Sequence, residues 1–121
     1  MVVDTNILIA CLNAEPRAAT VLSEWKQDGR ALLISSVSIA ETLAIAPVTA
    51  GEIEKIKAFI REFISIPFDD TIAETAGFLR RKYRLEIPDA AIAATAFSRN
   101  VPLVSRDRQF RKVSEITLIE L

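Results

Sequence analysis

The chain has 121 residues, of which 50% are apolar and 26% are charged, and its formal net charge is −1. This length suits one domain, residues 1–121, and the apolar content excludes a disordered chain. Because there is no histidine and Cys11 is the single cysteine, imidazole catalysis, a disulfide framework and a thiolate zinc site within one chain are excluded. Any bound metal would therefore have oxygen ligands, as Mg²⁺ or Mn²⁺ does.

The apolar fraction also bears on partners and location. It is high for so small a chain and favours a subunit or protein partner, so we expect an oligomer. No apolar run approaches the ~18 residues of a membrane span, and the first strand begins at Val2 without a basic segment before it. We expect a cytoplasmic protein with no membrane partner.

Strands and helices alternate in the predicted order. The first part of the sequence predicts a strand at Val2–Val3, helices over about Asn6–Leu12 and from Pro16 to Asp28, a strand at Ala31–Ile34, and helices over about Ser38–Ala46 and Thr49–Ile64. The second part predicts a strand at Ile64–Phe68, helices from Asp70 or Thr71 to Tyr83 and from Pro88 to Ser98, and strands at Pro102–Ser105 and Thr117–Glu120. This alternation predicts an α/β fold, a three-layer α/β/α sandwich with a central, mostly parallel five-stranded sheet.

Four acids are predicted at one edge of that sheet, beyond the carboxyl ends of the strands. Asp4 and Asp107 follow the first and fourth strands, and Glu41 and Asp89 lie near the beginnings of helices that start at the same edge. Each also has a structural interpretation. Asp4 could cap a helix, Glu41 could form a capping box with Ser38, Asp89 could lie in a favourable first turn, and Asp107 could start a turn.

The surroundings of these acids favour a site. Glu41 has helix neighbours that look buried, and Asp89 opens a helix that is apolar nearly all round. Carboxylates brought together would repel each other by ~4 kcal/mol per pair at 4 Å with an effective dielectric near 20. Arg106 and Arg108 flank only one corner, so a divalent cation offsets this repulsion better. Acids that hold one or two hard ions can hydrolyse a phosphodiester.

Basic residues are concentrated between positions 80 and 112. This segment has nine basic residues (Arg80, Arg81, Lys82, Arg84, Arg99, Arg106, Arg108, Arg111 and Lys112) and three acidic ones (Glu86, Asp89 and Asp107). Such an excess is typical of a surface that binds a phosphate backbone. The alternative interpretation is a solvated helix face with surface loops.

Four segments carry a family resemblance. VVDTNILI, ISSVSIAETL, IPDAAIAATA and PLVSRDRQF resemble, in order and at about the same spacing, the four motifs of the PIN domain, and most closely those of the short VapC toxins of prokaryotic type II toxin–antitoxin pairs. The resemblance covers the whole chain. It implies an endoribonuclease that depends on Mg²⁺ or Mn²⁺ and has Asp4, Glu41, Asp89 and Asp107 as its acids.

The resemblance also implies a role for each acid. Asp4 and Asp89 would hold the main metal ion, Glu41 would assist directly or through water, and Asp107 would complete the site or position a second ion. Many relatives have a second aspartate in the fourth motif, where this chain has Gln109, so Asp107 is the only acid of that motif.

Residues around the acids receive supporting roles. Thr5, Asn6 and Ser105 match polar positions of the family, and such short donors can orient ligating carboxylates. Candidate RNA contacts are the arginines that lie nearest to the motifs, which are Arg84, Arg106 and Arg108. Asp69 and Asp70 match no motif, and we interpret them as a helix start.

The resemblance further implies a homodimer and a cognate antitoxin whose tail crosses a groove and blocks the site, and it allows a larger toxin–antitoxin assembly. Trp25, Phe59 and Phe63 are candidates for that groove because aromatic anchors dominate interfaces. Their helical spacing is equally typical of ordinary core packing.

Other functions remain open at this point. A PIN-like nuclease for RNA maturation or repair would have the same motifs, and a PIN-like module that binds RNA or protein without cleaving would have lost acids that this chain retains. A haloacid dehalogenase-type phosphatase would need a second aspartate where Asn6 stands. A dinucleotide-binding fold would need a glycine-rich turn, which the sequence lacks.

Overall fold

Five short strands and six α-helices alternate along residues 1–45 and 49–121, the part of the chain that this computed structural model describes. The strands are β1 (Val2–Val3), β2 (Leu33–Ser35), β3 (Ile64–Ile66), β4 (Leu103–Ser105) and β5 (Leu118–Glu120). The helices are α1 (Thr5–Leu12), α2 (Pro16–Gln27), α3 (Ser36–Ala44), α4 (Ala50–Ile60), α5 (Asp70–Tyr83) and α6 (Ile87–Arg99). A 3₁₀ helix over Arg108–Lys112 precedes β5.

The strands form one sheet in the order β3-β2-β1-β4-β5, and every neighbouring pair is parallel. Successive residues of a strand point to opposite faces. Accordingly, Val2 belongs to one buried apolar cluster with residues of α5 and α6, and Val3 belongs to a second cluster with residues of α1, α2 and α4. The predicted three-layer α/β/α sandwich with a parallel five-stranded sheet is confirmed.

Strand register places the first and fourth motifs side by side. Val3 is paired with Val104, and the Asp4 amide donates a hydrogen bond to the Val104 carbonyl at 2.9 Å. Because β1 and β4 are adjacent and parallel, the residues that follow each of them emerge at the same edge of the sheet.

Several predicted boundaries were wrong by two to four residues. β2 begins at Leu33 rather than Ala31, and α3 begins at Ser36 rather than Ser38. α4 ends at Ile60 rather than near Ile64, because the Ile64 amide donates to the Leu32 carbonyl at 2.9 Å and enters the sheet. The predicted end of the third helix, at Ala46 and Pro47, lies outside the described residues.

The predicted start of α5 is confirmed by its cap. Asp69 precedes the helix, and its Oδ1 accepts a hydrogen bond from the Ile72 amide at 2.9 Å, a typical N-cap contact. Within the ranges 1–45 and 49–121, no helix has the length and apolar character that crossing a membrane requires.

Candidate active site

Asp4 lies at the carboxyl end of β1 and is almost completely buried. Its side chain is 4% exposed. Oδ1 accepts a hydrogen bond from the Thr5 amide at 2.7 Å, and Oδ2 accepts one from Ser105 Oγ at 2.6 Å. Asp4 is therefore the N-cap of α1, as its structural interpretation predicted, but each carboxylate oxygen keeps a lone pair for another partner.

The environment of Asp4 disfavours its charged form. Burial is the main cause that raises the pKa of Asp4 from 3.8 to about 6, and the charges of Asp89 and Glu41 raise it further. The hydrogen bonds from Ser105 and Thr5 act in the opposite direction and lower this pKa. Asp4 thus lies close enough to two other acids to feel their charges.

Thr5 joins the first motif to the second. Its Oγ1 lies 2.7 Å from Glu41 Oε1 and 2.9 Å from Ser38 Oγ. Thr5 is buried and Ser38 is fully buried, whereas Glu41 is partly exposed. The Glu41 carboxylate, which carries no proton when ionised, can only accept from Thr5. A side chain of α1 therefore holds the Glu41 carboxylate in place.

The interpretation of Ser38 and Glu41 as a capping box was wrong. α3 begins at Ser36, and Ser35 is its N-cap, with Ser35 Oγ accepting from the Val37 amide at 3.1 Å. Ser38 consequently lies inside the helix, one turn before Glu41. The contact of Ser38 with Thr5 was not predicted. The sequence contained a signal for it, because Ser38 and Glu41 are three residues apart and such residues share one face of a helix.

Ser105 connects Asp4 to the fourth motif. Its Oγ donates to Asp4 and accepts from the Asp107 amide at 2.9 Å and from Asn6 Nδ2 at 3.3 Å. One donor and two acceptors are all that a hydroxyl offers, so the hydrogen-bonding capacity of Ser105 is filled. The structure therefore brings Asn6 and Ser105 together around Asp4.

Asp107 also has the turn role that its structural interpretation predicted. Its Oδ1 accepts from the Gln109 amide at 2.9 Å, which caps the 3₁₀ helix. Oδ2 lies 3.5 Å from Gln109 Nε2. Gln109 thus contacts the one acid of the fourth motif.

Asp89 is half-buried in the first turn of α6. Burial is the largest cause that raises the pKa of Asp89, followed by the charges of Asp107, Glu41 and Glu86. The seven residues that follow, Ala90–Ala96, are all buried, as expected for a helix sandwiched inside the fold. These mutual effects make Asp4, Glu41, Asp89 and Asp107 electrostatic neighbours. Glu86, which no motif indicated, is a fifth acid nearby.

No basic side chain neutralises this group. Among residues 1–45 and 49–121, none of the four acids forms a salt bridge. Arg106 is bound instead to Glu15, with Nη2 and Oε2 2.6 Å apart. Carboxylate oxygens without a cationic partner suit a hard divalent ion, and the pKa values of Asp4 and Asp89 are raised as well. In the same described ranges, no three acidic or cysteine side chains stand close enough to hold one ion, so joint ligation requires side-chain movement.

The three arginines predicted to bind RNA lie in different settings. Arg84 follows α5 and lines a cavity together with Arg80 and Arg81. Arg106 is engaged by Glu15, and Arg108 is the exposed first residue of the 3₁₀ helix. Their RNA contacts stay a prediction.

An apolar groove lies on the α2 and α4 side of the molecule. Phe59 and Phe63 line it, with ring centroids 5.3 Å apart and planes at 79°, and its volume is about 260 Å³. Lys26 and Glu62 form an ion pair at its wall, 3.3 Å apart. Trp25 is partly buried against the same apolar cluster as the two phenylalanines. All three pack against the core, and of the three only Phe59 and Phe63 line the groove.

Comparisons with known proteins agree with these motifs. The family model of the PIN domain matches residues 1–116. Ribonuclease VapC19 of Mycobacterium tuberculosis is 32% identical over 99 residues, which cover 78% of each chain. A solved toxin–antitoxin complex from Klebsiella pneumoniae contains a chain with 27% identity and a TM-score of 0.84, covering 99% of this chain and 98% of that one. The structure of VapBC2 from Rickettsia felis bound to a promoter DNA fragment gives a TM-score of 0.85 at 21% identity, with 99% and 97% covered.

Proposed function

The chain belongs to the PIN-domain family, and on that premise we propose that it is an endoribonuclease that hydrolyses RNA phosphodiester bonds in the cytoplasm with Mg²⁺ or Mn²⁺. Asp4, Glu41, Asp89 and Asp107 would supply the ligands. When bound, the ion would activate water and stabilise the leaving oxyanion.

The observation that carries this proposal is the set of charges left without a counterion. Asp4 is buried, its pKa is raised mainly by that burial and further by two other acids, and no arginine or lysine in the described ranges forms a salt bridge with it. A fold without a ligand here would gain stability by replacing this acid with a neutral residue. Its presence therefore supports a role in binding a cation.

The neighbouring side chains would fix the positions of the acids. Ser105 restrains one oxygen of Asp4, and Thr5 restrains Glu41 through its hydroxyl. Both restraining groups are buried, so they exclude water from the inner side of the site. The acids would present their remaining lone pairs toward the partly exposed side, where Glu41, Asp89 and Asp107 lie.

Cleavage of RNA by the purified chain tests this proposal. We expect cleavage to require added Mg²⁺ or Mn²⁺ and to be abolished in Asp4→Asn and Asp89→Asn, while circular dichroism shows a retained fold. Gln27→Asn serves as a control for conservative substitution at an exposed position away from the sheet edge. Equal activity in excess chelator would contradict the proposal.

We propose further that the chain is the toxin of a VapBC-type pair and that it forms a homodimer. Two observations support a protein partner. The relatives include chains from toxin–antitoxin complexes, and the groove lined by Phe59 and Phe63 is open to an apolar segment. An antitoxin bound there would pack against α2 and α4.

A nuclease for RNA maturation or repair is the alternative within the same family. Co-purification with the product of the neighbouring gene distinguishes the toxin from the maturation or repair nuclease. Sequencing of the RNA ends that the free protein generates follows. A partner that inhibits cleavage and is released by Phe63→Ala supports the toxin. Leu121→Ala serves as the control variant, because Leu121 follows β5, whereas Phe63 precedes β3 on the opposite edge of the sheet. Absence of any inhibitory partner would favour the maturation or repair nuclease.

A further inference from the structure

A second cavity, separate from the apolar groove, lies where α5 ends and α6 begins. It has a volume of about 510 Å³ and is lined by Gly77, Arg80, Arg81, Arg84 and Glu86. Three guanidinium groups therefore face one space with a single carboxylate. We infer that this cavity is a backbone subsite, which binds a phosphate of the RNA strand beside the scissile bond. This inference rests on the proposed ribonuclease function.

Arg80 and Glu86 build the wall of this cavity. Arg80 Nη1 donates to the Leu85 carbonyl at 2.5 Å and lies 3.9 Å from Glu86 Oε2. These contacts close the link between the two helices and largely engage one guanidinium. Leu85, between the two exposed residues Arg84 and Glu86, is fully buried and anchors the link to the core.

Arg81 and Arg84 are the groups available to a ligand. Both are exposed, and neither forms a salt bridge within the described part of the chain. The adjacent Lys82, by contrast, is bound to Glu115 at 3.0 Å. Each guanidinium group is planar and offers several N–H donors, which suits it to bind phosphate oxygens. Neither of these two groups is engaged by a carboxylate in the described ranges.

The backbone of Arg84 provides an independent indication. Its φ of 57° and ψ of 40° place it in the left-handed region at the end of α5. Glycine or asparagine usually occupies this position of a helix end, because a side chain is disfavoured there. The fold would accept glycine more easily, so the backbone does not account for an arginine here, and Arg84→Gly can remove its side chain without strain.

The cavity adjoins the candidate active site through Glu86. This residue lines the cavity and is the N-cap residue of α6, three positions before Asp89. Asp89 lies only five positions after Arg84, in the first turn of α6. A single strand whose scissile phosphate lies at the acids would therefore pass a neighbouring phosphate by Arg81 and Arg84. The negative acids and the positive cavity would together orient the strand.

Steady-state cleavage of a single-stranded RNA tests this inference. In the double variant Arg81→Ala/Arg84→Gly we expect KM to rise about tenfold with kcat unchanged, because the contact binds substrate and transition state alike. The slope of log(kcat/KM) against log[salt] should shrink by about 0.7, which corresponds to one lost phosphate contact on a single strand. The glycine at position 84 keeps the fold intact, and thermal unfolding verifies this.

The matched control is Arg30→Ala/Arg61→Ala. It removes the same charge from exposed positions shortly before β2 and β3. Residues that precede parallel strands lie at the edge of the sheet opposite the acids. We expect this variant to keep the wild-type KM and salt slope. An equal loss in both double variants would indicate a general charge effect and overturn the inference.

The remaining outcomes separate the two proposals. A wild-type chain that cleaves RNA while Arg81→Ala/Arg84→Gly behaves identically overturns the subsite and leaves the ribonuclease standing. If the wild-type chain does not cleave, the proposed function is lost, and anisotropy of labelled RNA in chelator still tests the cavity. Unchanged RNA affinity together with weaker binding of the co-purified partner would overturn the inference, because it would assign the cavity to an acidic protein segment.

Discussion

Ser105 Oγ lies 2.6 Å from Asp4 Oδ2, although 101 positions separate the two residues in the chain. This buried bond is possible because β1 and β4 are neighbours in the sheet and end at the same edge. It ties together the first and fourth motifs and lowers the pKa of a carboxyl group that burial raises.

Replacing Asp4 by asparagine should stabilise the metal-free protein at neutral pH. The pKa of Asp4 is raised from 3.8 to about 6, so its contribution to stability is present below pH ~4 and is lost as the pH rises through ~6. We expect Asp4→Asn to increase the free energy of unfolding at pH 7.5 by about 1 to 3 kcal/mol. Thermal unfolding in chelator, at pH 4 and pH 7.5, measures this.

The difference between the two proteins should be smaller at pH 4, where the wild-type carboxyl is increasingly neutral in the fold. If the metal-free wild type is more stable than Asp4→Asn at pH 7.5, the charged carboxylate of Asp4 does not destabilise the fold as proposed. Combined with lost cleavage, a more stable variant would separate the catalytic use of Asp4 from its effect on the fold.

Ser105→Ala should weaken metal binding. The Ser105 hydroxyl restrains Asp4 and lowers the pKa of Asp4, and the change removes this group. It also leaves the Asp107 amide without its hydrogen-bond acceptor. We expect metal affinity to fall about tenfold to a hundredfold, and the acidic limb of the pH–activity profile to move to higher pH. Titration with Mn²⁺ and rates measured between pH 5 and 8 give both values.

Ser98→Ala is the control for this substitution. Ser98 Oγ donates to the Thr95 carbonyl at 2.8 Å near the far end of α6. The control removes the same atom from a residue with no contact to Asp4, so its metal affinity should match that of the wild type. Identical pH profiles for Ser105→Ala and wild type would rule out the positioning role.

Thr5→Val tests the link between Asp4's helix and Glu41. Valine keeps the shape of the side chain but removes the hydroxyl that contacts Glu41 and Ser38. We expect cleavage to fall about tenfold or more and the free energy of unfolding to drop by about 1 kcal/mol. Thr5→Ser, which keeps the hydroxyl, should retain most of the activity.

Thr95→Val is the matched buried control. Thr95 Oγ1 donates to the Ala91 carbonyl at 2.8 Å within α6 and is fully buried. Its loss should affect stability without lowering metal affinity. Full cleavage activity in Thr5→Val would show that Glu41 needs no support from α1.

Tyr83→Phe should affect stability and leave cleavage unchanged. The Tyr83 hydroxyl is hydrogen-bonded to Glu115 and lies 2.9 Å from Ser114 Oγ, which ties α5 to the segment before β5. Its removal should lower the free energy of unfolding by about 1 kcal/mol. Urea unfolding and RNA cleavage of the same samples measure both effects. A loss of cleavage with the fold retained would place Tyr83 nearer to the reaction than the structure does.

The sequence predicted the layers of the fold because short, mainly apolar segments alternate with helices whose apolar residues have clear spacing. Asp4 and Asp107 could be assigned to one edge by a general rule for parallel sheets. Helix ends could not be located so well. Local periodicity carries Phe63 and Ile64 into α4, whereas sheet pairing with Leu32 takes Ile64 into β3.

The details of the site depended on contacts between distant parts of the chain. Ser38 looked like a helix cap because its spacing to Glu41 fits one, and only the end of β2 at Ser35 moves the cap upstream. The pairing of Arg106 with Glu15 joins residues 91 positions apart, which no local pattern could indicate. Arg84 adopts a backbone conformation for which its residue type gives no signal.

The placement of β1 beside β4 has a consequence for protein synthesis. A nascent chain presents Asp4 first, and its hydrogen-bond partner Ser105 is added only 101 residues later. Until then β1 lacks its neighbour, and the acids have no common framework. The centre can therefore be assembled only after Ser105 has been synthesised, and fragments from translation interrupted before that residue would lack a formed site for cutting RNA.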